Sequence, residues 1–432
     1  MRKLFFSVLA WVGATTAFAQ SATNSPYSQY GLGSLADQST GFNRGMNGVG
    51  IGFREHNQVN PLNPASYSSI DSLTFIFDAG LSGQITNFKE GNKKVNAKNA
   101  NFEYVVAGLR LARHLGLSFG ILPFTNVGYS YVSSGYVSDM KTATYTNSYN
   151  GSGGFHELYV GMGWEPIRGL SVGINGGYLW GTYSKSLVNN YSETYASTLS
   201  KYYSAEIRNY KLDLGIQYAA KLSKNDQLTL GLTYSPGHKM GADAKCQVIM
   251  NNVQTSVTDT TNYPKDGGLD LEMPTMMGAG LAFSHANKLK VGLDYSLQQW
   301  SKTSYPEYTE INGTPAYILK GDMFKDRHKL TLGFDVCPGE TSRRFLNRVH
   351  YRAGVSYATP YIKIYGKDGP KEISATMGFG IPIINSWNNR STLNISAGWV
   401  RQEAKGFITE NTFRINIGLT FNERWFAKWK VE

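Results

Sequence analysis

Between Leu289 and Val336 apolar residues recur at every second position. Leu289, Val291, Leu293, Tyr295 and Leu297 alternate with Lys290, Gly292, Asp294, Ser296 and Gln298. A polar break from Ser301 to Arg327 follows. The alternation then resumes, with Leu330, Leu332, Phe334 and Val336 set against Thr331, Gly333 and Asp335. A period of two is the mark of a strand with one apolar and one polar face. In a soluble sheet the apolar face covers a core. In an outer-membrane barrel it meets lipid, and the polar face lines the lumen.

The rest of the chain favours the second arrangement. From Ser72 onward the alternation predicts about fourteen strands: Ser72–Phe88, Asn101–Ala112, Leu115–Val132, Phe155–Pro166, Leu170–Lys185, Glu206–Leu222, Gln227–Cys246, Pro274–Ser284, Lys288–Trp300, His328–Cys337, Val349–Tyr365, Lys371–Ile384, Thr392–Gln402 and Thr412–Phe421. Bacterial single-chain barrels have an even number of strands. Tight connections at Ala112–Leu115, Pro166–Leu170, Leu222–Gln227 and Ser284–Lys288 alternate with long ones at Gly135–Gly154, Ser186–Ala205, Gln247–Met273 and Ser301–Arg327. Short periplasmic turns and long external loops are the barrel arrangement. Charged residues make up only 17% of the chain, while Gly (47) and Tyr (28) abound. Half-polar strands average to that composition, so a barrel has no long apolar run. The final strand turns Phe413, Ile415, Ile417, Leu419 and Phe421 outward.

The ends differ from the body. Arg2 and Lys3 precede an apolar run from Leu4 to Ala14, and Ala17-Phe18-Ala19 precedes Gln20. This is the order of a secretory signal peptide, with cleavage expected after Ala19. Residues 20–70 carry many glycines and break the alternation, yet they hold Tyr27, Tyr30, Leu32, Phe42, Met46, Val49, Ile51 and Phe53. Such a segment needs a surface to pack on, and a barrel interior offers one. The expected organisation is a signal peptide at 1–19, a hatch or plug at 20–70, a transmembrane barrel at 71–421 and an aromatic-basic tail at 422–432, with Trp425, Phe426 and Trp429 suited to a membrane interface.

Several functions are disfavoured. The formal charge is +11, two units less once Arg2 and Lys3 leave, but the basic residues are scattered, so nucleic acid is not an expected partner. Cys246 and Cys337 are predicted at opposite rims and expected to stay unbridged. No Gly-x-Ser-x-Gly, His-Glu-x-x-His or paired-Cys spacing is present. Neither catalytic residues nor a metal or other cofactor is expected, and the seven histidines fall mostly near turns or rims.

Fourteen strands enclose more space than side chains alone fill, and less than an open porin does. The predicted polar face places Lys211, Asp213, Lys290, Asp294, Lys329, Asp335, Arg352 and Arg414 inside. Two roles compete for them. One is a carboxylate-binding cation, with the fork of Arg352 best matched to it. The other is a mixed-charge network that holds the plug.

Several stretches resemble the FadL/TodX-type outer-membrane channels for hydrophobic compounds. Asn63-Pro64-Ala65 resembles the hatch element of that family. Tyr234-Ser235-Pro236 with Gly241 resembles a mid-barrel strand, and Met273-Pro274-Thr275 with Gly278-Ala279-Gly280-Leu281 resembles the strand after it. Asp294-Tyr295-Ser296 with Gln299-Trp300-Ser301, Asp326-Arg327-His328 with Leu332-Gly333, and Tyr351-Arg352-Ala353-Gly354 continue the series. The resemblance implies a fourteen-strand barrel in a Gram-negative outer membrane that takes up small hydrophobic molecules passively. It also implies a hatch that shifts, and lateral exit at a kinked third strand. In this chain Pro123, Phe124 and Asn126 lie on the predicted third strand, and proline removes a ladder donor there. The polar, Tyr-rich external loops support an alternative, a non-transporting barrel subunit of an outer-membrane assembly or secretion complex with an envelope protein as partner.

Overall fold

The computed structural model describes residues 23–137, 143–193, 195–383 and 391–423. The predicted signal peptide at 1–19, and all of the tail beyond residue 423, lie outside the described residues.

Fourteen antiparallel strands form the wall. They are β1 (Phe75–Glu90), β2 (Lys93–Ala112), β3 (Leu115–Tyr136), β4 (Thr144–Ile167), β5 (Leu170–Tyr191), β6 (Thr198–Lys221) and β7 (Asp226–Ser235). They continue with β8 (Met276–His285), β9 (Leu289–Gln298), β10 (Arg327–Val336), β11 (His350–Ala358), β12 (Lys371–Ile383), β13 (Ser391–Glu403) and β14 (Thr409–Glu423). Each pairs with its chain neighbours, and β1 pairs with β14 from Phe75↔Glu423 to Lys89↔Thr409, which closes the ring. The alternation predicted at 289–336 becomes β9 and β10, with Leu293 opposite Leu332 and Asp294 opposite Thr331.

The two faces follow the pattern. Leu81, Val160, Leu232, Leu330, Met377 and Ile415 are exposed on the outside, whereas Asp294, Asp335 and Arg352 are buried inside. From Phe413 to Phe421 the apolar face of β14 runs about 27 Å along the strand, or about 21 Å along the barrel axis at ~40° tilt. An apolar girdle of that height belongs in a bilayer, and a closed ladder leaves few backbone groups unpaired there. The chain is an outer-membrane β-barrel.

On one side the four connections expected to be tight are tight, while the one from β10 to β11 is longer. Those on the other are less loop-like than expected. β3 and β4 extend to Tyr136 and from Thr144, and β5 and β6 extend to Tyr191 and from Thr198. The 247–273 region contains a hairpin of His238–Asn252 with Val257–Tyr263, and the 301–327 region one of Tyr305–Ile311 with Thr314–Lys320. Beyond the bilayer both faces of a strand are wet, so the apolar alternation stops. The backbone ladder continues because Tyr, Thr and Val still suit it. The predicted strand 227–246 is broken at Pro236-Gly237, after which His238–Asn252 pairs with the outer half of β6.

Residues 23–70 lie inside the ring. They hold only short 3-10 and helical turns and a two-residue strand, and they touch wall strands on every side. Cys246 sits on the external hairpin and Cys337 at the opposite rim; both are free and buried.

Candidate functional site: the filled lumen and its seam

The half of the lumen near the tight turns is built on Asn63-Pro64-Ala65. The Asn63 side chain caps the turn Pro64–Ser69 by accepting from the Ala65 amide (3.1 Å), and proline takes the first position, where no amide is needed. The Asn63 amide also donates to the carbonyls of Ile51 (2.9 Å) and of Ile216 on β6 (3.3 Å). Ala65 is fully buried. The wall admits this turn only because it presents glycine: a Cβ on Gly116 would lie 1.9 Å from the Tyr67 carbonyl oxygen, and one on Gly173 2.3 Å from Pro64.

Most of the inward charges meet the plug or one another. Asp294 on β9 accepts from the amides of Gly50 (2.7 Å) and Ile51 (2.9 Å). Lys290 donates to both oxygens of Glu55 (2.8 and 2.7 Å). Arg352 donates to Asp335 (3.2 Å) and Asn394 (2.6 Å), and its guanidinium lies 4.6 Å from the centre of the Phe42 ring. Lys211 bridges Glu157 (3.0 Å) and Asp213 (2.7 Å), and Gln38 of the plug donates to Glu157 (3.0 Å). Arg44 pairs with Glu103 on β2 (3.0 Å). Burial alone would raise the Asp37 carboxyl. The charges of Arg44 and Lys329 and the Ser39 amide outweigh burial and hold it at about 2.

Sequence reasoning named both members of Arg352–Asp335 and Lys211–Asp213, only Lys290 of Lys290–Glu55, and neither member of Arg44–Glu103. Glu55, Arg44 and Gln38 lie where no alternation marks an inward face. Glu157 and Lys185 are inward on their strands, but nothing local separates them from ordinary lumen polar residues. Lys185 donates to the carbonyls of Gln29 (2.9 Å) and Gly31 (2.7 Å).

The outer half of the lumen is apolar and occupied. Leu32 of the plug packs with Phe124, Phe155, Leu179 and Met240. Trp300, Phe324 and Tyr361 roof it, with ring centres 5.1 to 6.0 Å apart. Beside this core the lumen retains a cavity of about 160 Å³. Its lining is polar and of mixed charge, including Asp37, Arg44, Glu103, Lys329 and Arg414.

The wall has a seam. The β2–β3 ladder runs from Ala112↔Leu115 to Val105↔Ile121 and stops. Beyond it β2 pairs only with β1, and β3 pairs on its other side with β4. Pro123 sits opposite His156 at a bulge in the β3–β4 ladder, and Phe124 turns into the apolar core. The plug covers the freed edge of β3. Ser34 and Leu35 pair with Asn126 and Thr125, and the Ala36 amide donates to the Phe124 carbonyl (3.0 Å). Further along, Ser28 accepts from the Gly128 amide (3.0 Å), while Asn24 contacts Asn99 on β2 (2.5 Å). The plug's first residues thus span the seam from β2 to β3.

A closed fourteen-strand barrel filled by its own amino-terminal segment defines the class: the fold of the FadL/TodX-type outer-membrane channels. The toluene transporter TodX of Pseudomonas putida superposes with a TM-score of 0.59 at 15% identity, covering 91% of this chain and all of that one. The toluene transporter TbuX of Ralstonia pickettii gives 0.56 at 14% identity, over 90% and 98% of the two chains. The monoaromatic hydrocarbon channel CymD gives 0.55 at 16% identity, over the same shares. All three are transport proteins rather than enzymes, and at these identities the likeness is one of fold. Among curated proteins no sequence relative matches. The family model for BamG matches residues 1–432, and the chain belongs to the BamG family.

Proposed function

We propose that this protein is a plugged, non-conducting barrel that serves as a membrane-embedded subunit of an outer-membrane assembly, with an envelope protein as its partner. The observation that carries this reading is the occupied lumen. Buried hydrogen bonds and ion pairs tie the plug to the wall near the tight turns. An aromatic core fills the space where a hydrophobic solute would travel, and the cavity beside it of about 160 Å³ is polar. The external ends of β3 to β6 rise as a wall with Tyr136, Tyr191, Tyr195 and Tyr202 exposed, and exposed aromatics of this kind suit a protein interface.

The seam favours a second reading: hatch-gated passage of small hydrophobic molecules, fatty-acid-like or aromatic, with lateral exit beside Pro123, Phe124 and Asn126. There residues 34–36 would have to leave the β3 edge. Lys290, Asp294, Lys211, Asp213 and Arg352 act in either reading as part of the polar frame that holds the plug, in which Asn63, Pro64 and Ala65 form a turn, and only in the second would Arg352 need to release Asp335 for a ligand.

One experiment separates the two. Proteoliposomes carry either the wild type or a Leu35→Cys/Thr125→Cys variant in a Cys246→Ala/Cys337→Ala background. Directly opposed residues of an antiparallel pair are within disulfide reach. The proposal expects labelled alkyl acids and toluene to enter wild-type vesicles no faster than protein-free ones. Entry that the cross-link abolishes would replace it with the second reading. In mild detergent extracts of native membranes the chain should migrate with a partner. Migration as a lone chain would count against the subunit role.

A further inference from the structure

The connection from β10 to β11 is the longest described one on the tight-turn side. It ends in a single helical turn, Phe345–Arg348. Phe345 is 49% and Leu346 67% exposed. The turn rests on the outer face of the wall, because the hydroxyl of outward-facing Tyr351 donates to the Leu346 carbonyl (3.1 Å). Tyr351 itself packs edge-on against Phe379 of β12, also on the lipid side (5.8 Å). Phe345 and Leu346 therefore continue the apolar girdle to its periplasmic edge.

The same turn is basic. Arg343 and Arg344 are exposed, and Arg348 lies over the Phe345 ring (5.9 Å) with its Nε buried and lacking a hydrogen-bond partner. None of the three arginines has an ion pair among the described residues. Lys288 stands on the adjoining turn, whose carbonyl accepts from the Cys337 amide (2.8 Å). An apolar pair seated at the edge of the bilayer with several unpaired cations beside it fits a phosphate at the membrane surface.

We propose that the turn 343–348 is a binding site for the headgroup of an anionic phospholipid in the periplasmic leaflet. Phe345 and Leu346 enter the acyl boundary, and Arg343, Arg344 and Arg348 hold the phosphate. Charge complementarity and continuity with the lipid-facing girdle select a lipid over a protein here.

The test is native mass spectrometry of the full chain released from nanodiscs of phosphatidylcholine mixed with phosphatidylglycerol. The wild type should retain phosphatidylglycerol preferentially. An Arg343→Gln/Arg344→Gln/Arg348→Gln variant should lose that preference by on the order of 100-fold, at about fivefold for each cation near a charged surface. Phe345→Ser/Leu346→Ser should weaken retention of both lipids while keeping the preference. Three outcomes overturn the proposal: unchanged preference in the arginine variant, displacement of the lipid by millimolar inorganic phosphate alone, or loss of a co-purifying protein with lipid retention intact. Heat-modifiable gel migration verifies that each variant is folded.

Discussion

Asp294→Ala tests the plug–wall network most directly. The carboxylate is buried and accepts from two plug amides, those of Gly50 and Ile51. Alanine leaves both amides without an acceptor. A hydrogen bond to a charged group contributes about 1.5–3 kcal/mol, so the loss is about 3–6 kcal/mol. Water entering the space left by the side chain brings the expected cost towards about 3 kcal/mol. The wall does not depend on this contact, because β9 keeps its full ladders with β8 and β10. The cost therefore falls on local opening of residues 49–52. At about 1.4 kcal/mol per tenfold, amide exchange at Gly50 and Ile51 should accelerate roughly 100-fold or more, while the β9 amides stay protected. Asp294→Asn keeps an acceptor and should accelerate exchange less. Hydrogen exchange of the reconstituted barrel measures both. Unchanged exchange at Gly50 and Ile51 in the alanine variant would refute the reasoning, and so would an asparagine variant as labile as alanine.

Four further outcomes are expected. Gly116→Val should drive the turn at Tyr67 from the wall at a cost of about 3 kcal/mol or more, seen as protease cleavage within residues 40–70. Gly83→Val, whose new Cβ meets nothing within 4 Å, should leave cleavage unchanged. The Asp37 carboxyl titrates at about 2 instead of its ordinary 3.8, so its contribution is present above about pH 4 and is lost as pH falls towards 2. Protease protection of residues 30–45 should decline across that window, and Asp37→Asn should flatten the decline. The Leu35→Cys/Thr125→Cys pair should cross-link with mild oxidant, whereas native Cys246 and Cys337 should leave gel mobility the same with and without reductant.

The barrel was legible in the chain because its determinants are local. Alternation at Leu289–Leu297 and Phe413–Phe421 reports which side of each strand meets lipid, and short turns such as Arg168-Gly169 report where the strands reverse. Asn63-Pro64-Ala65 was marked in the chain only by its resemblance to a hatch element, and the cap that Asn63 places on the turn Pro64–Ser69 came from the structure. The external hairpins were read as loops. Once both faces are wet, a strand carries no hydrophobic period, and its hydrogen bonds leave no trace in residue order.

The partnerships of the lumen needed the fold. Lys290 meets Glu55 across 235 residues of chain, and Arg44 meets Glu103 on a strand that sequence spacing does not relate to it. A charge on the inward face is predictable, but its partner depends on how a segment without periodic structure folds inside the ring. The same holds for the seam. Pro123 marked a weak point on β3, yet only the three-dimensional arrangement decided that the ladder ends on the β2 side, at Val105↔Ile121, and that Ser34 and Leu35 cover the exposed edge. By itself the sequence determined an alternating wall of about fourteen strands, because alternation and short–long connections together match a sheet that must close in a bilayer. The tertiary structure decided that the enclosed space is occupied, because filling it depends on volume and pairing summed over the whole ring.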